Sequence, residues 1–131
     1  MADVWVATNR EGRLYDHLPP DSYDLVHADE IRGLSIDRAS RTTLVAQTTG
    51  LDRTGVALVA MRSDRTGDEL PPDLHLELLA ALTAARRKAQ HLDEPLVLHA
   101  DWHEGRGWCW MLYSLQEFRA YAATKLKRPR R

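Results

Sequence analysis

At 131 residues, with 44% hydrophobic and 28% charged side chains, the chain is sized for one domain with a real apolar core, and its composition argues against disorder over most of its length. Its apolar runs fall short of the ~20 residues a membrane-spanning helix needs, the N-terminus lacks the basic start and apolar stretch of a signal peptide, and a single Cys leaves no internal disulfide, so a cytoplasmic protein is expected. The net charge of −1 is unevenly spread: the stretch KLKRPRR (125–131) holds five of the 18 Lys and Arg, which leaves 13 against 19 acids, a net of −6, over 1–124. The expected organisation is a single domain over 1–124 followed by a basic tail over 125–131.

In chain order, VWVAT (4–8) is β-branched and aromatic and reads as a strand. NREG reads as a turn, RLYDHL as its return partner and LPPD as a break. Tyr15, Asp16 and His17 fall in this region and carry no ranking as site residues. DLVHADEIRGLSID (24–37) reads as two short strands around a helical turn at Ala28 to Glu30. RTTLVAQTT (41–49) and GVALVAMRS (55–63) are clearer strands. Asp-Arg-Thr-Gly occurs at 52–55 and again at 64–67. Turn chemistry accounts for it better than a duplicated binding loop does, since Asp can bond its own backbone and Gly can take positive φ.

The polar loop 62–73 leads into a helix over 73–91. Asp73 stands as N-cap behind Pro71 and Pro72, and Leu74, Leu78, Leu82, Ala85 and Ala89 recur at helical spacing with Leu79 beside them. Arg86, Arg87 and Lys88 suit the negative end of the helix dipole and read as a solvated face before a phosphate contact. PLVLHADW (95–102) and WCWMLY (108–113) read as strands around the loop HEGRG. Ser114 and Glu117 make the pattern of a capping box. A last helix, 115–127, shows Leu115, Phe118, Ala122 and Leu126 on one face and ends before Pro129. This order predicts an α+β fold: a mainly antiparallel β-sheet of about five to seven strands, packed on one face by two α-helices at about 73–91 and 115–127.

The hairpin at 95–113 concentrates the chemistry. Because side chains alternate faces along a strand, closing it sets Trp102 opposite Trp108, Ala100 opposite Trp110 and Leu98 opposite Leu112, every pair apolar. The other face then sets Asp101 opposite Cys109 and His99 opposite Met111, with His103 close by. His99, Asp101, His103 and Cys109 supply donors acceptable to zinc, but H-x-D-x-H on one flat strand face closes a tetrahedron poorly. Cys109 as nucleophile, His99 as base and Asp101 as its orienter form a second chemistry. Yet a mid-strand thiol between two Trp lacks the helix N-terminus that would lower its pKa. A structural role takes precedence over both, with Cys109 as a small hydrophobe. Trp5, Trp102, Trp108 and Trp110 read as core before they read as base-stacking platforms. No cofactor is expected.

No P-loop, dinucleotide fingerprint, HExxH, CxxC or G-x-S-x-G occurs in the chain, and no motif assigns a function. Three readings stand, in order. The first is a non-catalytic protein-interaction module (adaptor, inhibitor or regulator), with Arg106 on the hairpin tip as an anchor; another protein is the expected partner and a homodimer is compatible. The second is a nucleic-acid-associated protein, with Lys125, Lys127, Arg128, Arg130 and Arg131 neutralising phosphate. The third is a metal- or Cys-dependent enzyme at the 99–109 hairpin.

Overall fold

The computed structural model describes residues 3–9, 24–49, 55–60, 69–103 and 106–127, with side chains as far as Ala122. It is the α+β fold the sequence predicts. Its elements are β1 (Val4–Ala7), β2 (Leu25–His27), a 3₁₀ turn (Ala28–Glu30), β3 (Ile31–Ile36), β4 (Thr43–Thr48), β5 (Gly55–Ala60), α1 (Leu74–Leu92), β6 (Leu96–His103), β7 (Gly107–Ser114) and α2 (Leu115–Lys127). The expected split of 24–37 into two strands around a turn at Ala28 to Glu30 is present. The suggested return strand at 13–18, with Tyr15, Asp16 and His17, lies outside the described residues. So does the second Asp-Arg-Thr-Gly at 64–67.

The seven described strands divide into two sheets and not the single sheet that the sequence predicts. One has four strands in the order β2-β1-β6-β7, with β1 and β6 parallel and the other two pairings antiparallel. The other is the antiparallel meander β3-β4-β5. Asn9 joins them beyond the end of β1. Its N–H donates to the Leu58 carbonyl (2.7 Å) and its carbonyl accepts from Ala60 N (2.9 Å), while its buried side-chain amide donates to the Ala100 carbonyl at 2.7 Å.

Strand alternation sorts the four-stranded sheet into two apolar faces, and each takes one helix. Val4, Val6, Leu96, Leu98, Ala100 and Trp108 meet the buried stripe of α1, and Leu44, Ala46, Leu58 and Val59 of the meander complete that core. Ala7 and Val97 point the other way and meet Phe118 of α2, with Tyr113 and Tyr121 around them. The helices therefore take opposite faces of the sheet and not the one face that the sequence predicts, because β6 is apolar or hydrogen-bonded on both sides: Leu96 through Asp101 are all buried. Truncating a fully enclosed leucine such as Leu78 to Ala in a core of this kind costs about 2–5 kcal/mol.

Local chemistry accounts for the element ends. Ser114 and Glu117 form the capping box that the sequence predicts, with Glu117 N donating to Ser114 Oγ at 3.1 Å and Ser114 N donating to Glu117 Oε1 at 2.7 Å. The Ser114 backbone N–H, with the Ser114 hydroxyl, holds the Glu117 carboxyl below its ordinary value. Asp73 is the N-cap of α1, but its side chain makes no cap bond. Gly55, the described end of the first Asp-Arg-Thr-Gly, is needed for space rather than for positive φ, since a Cβ there would stand 2.5 Å from Val45 Cγ1. Gly107 does take positive φ (80°), where it ends the hairpin loop. No helix among the described residues is long and apolar enough to cross a membrane.

Candidate functional site

The β6–β7 hairpin has the predicted register along its length, including Trp102 with Trp108, Ala100 with Trp110, Leu98 with Leu112, Asp101 with Cys109 and His99 with Met111. Its apolar face buries Trp108 and half-buries Trp110, whose Nε1 donates to the Leu74 carbonyl at the start of α1 at 3.0 Å. Trp102 is 39% exposed and stands edge-on to Trp108, ring centroids 5.9 Å apart. Trp5 meets the His27 ring edge-on at 4.7 Å.

On the opposite face lies a buried polar cluster. His99 is fully buried and Asp101 is 5% exposed. His99 Nδ1–H donates to Asp101 Oδ1, Tyr113 OH donates to Asp101 Oδ2, and Tyr121 OH donates to Asp101 Oδ1 at 3.1 Å. An ionised carboxylate only accepts, so it is the centre of this arrangement and the other three groups are its donors. Burial pushes the Asp101 carboxyl up. The bond and charge from His99, with the Tyr113 and Tyr121 hydroxyls, outweigh that and hold it below the ordinary value of 3.8. Rings close over the His99 imidazole from α2, with Phe118 and Tyr121 centroids each 5.6 Å away, and Tyr113 packs on Tyr121 at 5.1 Å.

The structure therefore brings His99 and Asp101 together but not the whole predicted set. Cys109 is half-buried, and its Sγ reaches back to the Gly107 carbonyl at 3.9 Å. Among the described residues, no three His, Cys, Asp or Glu side chains are grouped to hold a metal ion. His103 sits at the hairpin end, its Nε2 shut from solvent without a hydrogen-bond partner among the described residues, as is Trp108 Nε1. What completes the His99–Asp101 pair is Tyr113 and Tyr121, which the sequence reading did not name as site residues. Tyr113 was accessible to it, since it shares the β7 face of Cys109 and Met111. Tyr121 lies three residues beyond Phe118 on α2, so its role depended on knowing which sheet face that helix covers.

The chemistry of this cluster is that of a lock. A buried, ionised carboxylate with three donors, two from β6 and β7 and one from α2, ties the helix to the sheet where apolar contact alone would leave its position less determined. Arg106 is exposed at the tip, as expected. Arg86 reaches Asp29 at 3.6 Å, while Arg87 and Lys88 are exposed on α1. The side chains of Lys125 and Lys127, and Arg128, Arg130 and Arg131 entirely, lie outside the described residues. Comparison with protein-family models, with curated proteins and with solved structures finds no match to this chain.

Proposed function

We propose that the protein is a non-catalytic intracellular interaction module that takes up an extended segment of a partner protein along β7. The observation that carries this reading is the character of that strand. Among the described residues β7 stands last in the order β2-β1-β6-β7, runs for eight residues in unbroken register with β6, and contains no charged residue and no proline. Edge strands are ordinarily kept short, bulged or charged because their free backbone groups invite another strand. Strand addition uses those groups for affinity and the alternating side chains for selection. Met111 is exposed on the α2 side of the sheet, Leu115 at the first position of α2 and Trp102 on the other face, so the segment that fits is uncharged and apolar at alternate positions. Arg106, exposed where the strand begins, offers an anchor for an acid flanking that segment.

The test compares wild-type protein with Met111→Lys and with Leu76→Lys, a control on the outer side of α1, in nuclease-treated pull-downs from lysate of the source. Partners kept by Leu76→Lys and lost by Met111→Lys support the reading. Partners retained by Met111→Lys overturn it. Partners that vanish with nuclease overturn it in favour of the basic residues 125–131. A wild-type dimer in sedimentation, split by Met111→Lys, replaces the partner protein with a second copy of the chain.

A further inference from the structure

A cavity of about 340 Å³ lies away from the hairpin, between the end of β3, the turn that follows it and the start of α1. Leu34, Ile36, Leu70 and Pro72 give it an apolar floor, while Ser35, Asp37, Arg38, Arg41 and His75 make it polar and basic. Its frame is held by backbone bonds: Arg41 N donates to the Asp37 carbonyl at 2.8 Å, and Leu70 N donates to the Arg41 carbonyl at 2.8 Å. The acid in the lining is already engaged. Asp37 accepts from Ser40 Oγ at 2.8 Å and from Ala39 N at 3.3 Å, and its carboxyl is held below the ordinary range mainly by that Ser40 bond.

The basic groups are not engaged in the same way. No ion pair among the described residues uses Arg38 or Arg41. His75 Nδ1 is shut from solvent and meets no hydrogen-bond partner among the described residues. The first turn of α1 opens beside these groups, with no side-chain bond from Asp73, and adds the partial positive charge of a helix start.

We infer that this cavity binds the phosphate of a small phosphate monoester, with Arg38 and Arg41 as its recognition groups. Two guanidiniums match a dianion with three terminal oxygens. The volume is at the small end of ligand cavities, and the mixed lining suits a compact polar body resting on Leu34 and Leu70. The site is independent of β7.

The test is a titration of the full-length protein with glycerol 3-phosphate and with phenyl phosphate, followed by amide chemical shifts, with sodium chloride at matched ionic strength as control. Saturable shifts at 34–41 and 70–75 are expected with the phosphate esters and not with chloride. The stronger of the two esters identifies whether the body it carries is polar or aromatic. Arg41 occupies left-handed backbone (φ 57°), which glycine adopts without strain, so Arg41→Gly removes the guanidinium while keeping or raising thermal stability. Arg41→Gly and Arg38→Gln are each expected to weaken binding by about tenfold or more, as loss of a charge-assisted hydrogen bond does. Absence of saturable shifts with either ester in the wild type overturns the proposal. So does retention of binding by both variants, or an equal loss in Arg87→Gln, which would mark diffuse attraction to a basic helix face.

Discussion

The Asp101 carboxylate gathers three donors, His99, Tyr113 and Tyr121. Removing an acceptor strands its donors, which is worse than never having had the network. Asp101→Ala is therefore expected to destabilise the fold by about 3 kcal/mol, and Tyr121→Phe by about 1 kcal/mol, in denaturant unfolding. The sign of the pH dependence follows from the lowered pKa. The unfolded state binds the proton first, so the stabilisation is present above the ordinary value of 3.8 and is lost as pH falls through the lower folded value. Unfolding free energy of the wild type should drop across that acid window more steeply than that of Asp101→Asn, and equal slopes would show that the carboxylate is not the coupled group. Part of this network was readable in advance. Alternation alone put His99 and Asp101 on one face and Tyr113 across from them, whereas the same rule also nominated Cys109, which turns toward Gly107 instead.

At the level of elements, legibility followed the range of the forces involved. Both helices were readable to within about a residue because 3.6-residue periodicity and end signals are local. The capping box is the clearest case, and Ser114→Ala should cost about 1 kcal/mol in thermal or denaturant unfolding, with Glu117→Gln costing less because its amide oxygen still accepts. Hairpin register was readable as well, since a one-residue slip would turn every apolar side chain of β6 and β7 to the wrong face. The division of strands into two sheets was not readable. Pairing between β1 and β6 involves segments about 90 residues apart in sequence, and no local pattern announces it. The same ignorance hid the opposite placement of the helices, because which face α2 covers is settled only once β6 is known to be an interior strand. The cavity lined by Arg38, Arg41 and His75 was equally out of reach, being assembled from three segments none of which carries a motif.

At the scale of the whole molecule, one small residue links the parts. Asn9 bridges the meander through its backbone and the hairpin strand through its side chain. Asn9→Ala should leave the Ala100 carbonyl without its donor and cost about 1–3 kcal/mol, measured as a lower urea midpoint. If the slope of the transition stays unchanged, the two sheets still unfold as one body. A lower slope or two resolved transitions would show that this side chain is what makes them cooperative.

The central position of β1 also bears on how the chain reaches this state. The meander and the β6–β7 hairpin each close over short stretches of sequence and can form early. β1 finds its parallel neighbour only after most of the chain has been made, and the entropy of that long closure opposes the step until the rest is in place. During synthesis on the ribosome β1 emerges long before β6 and docks late, and for that interval the flank of β6 that β1 will cover stands open. The β6–β7 hairpin would then show two open flanks while the chain folds and one once β1 has docked, so its exposure to aggregation is set by how quickly β1 returns.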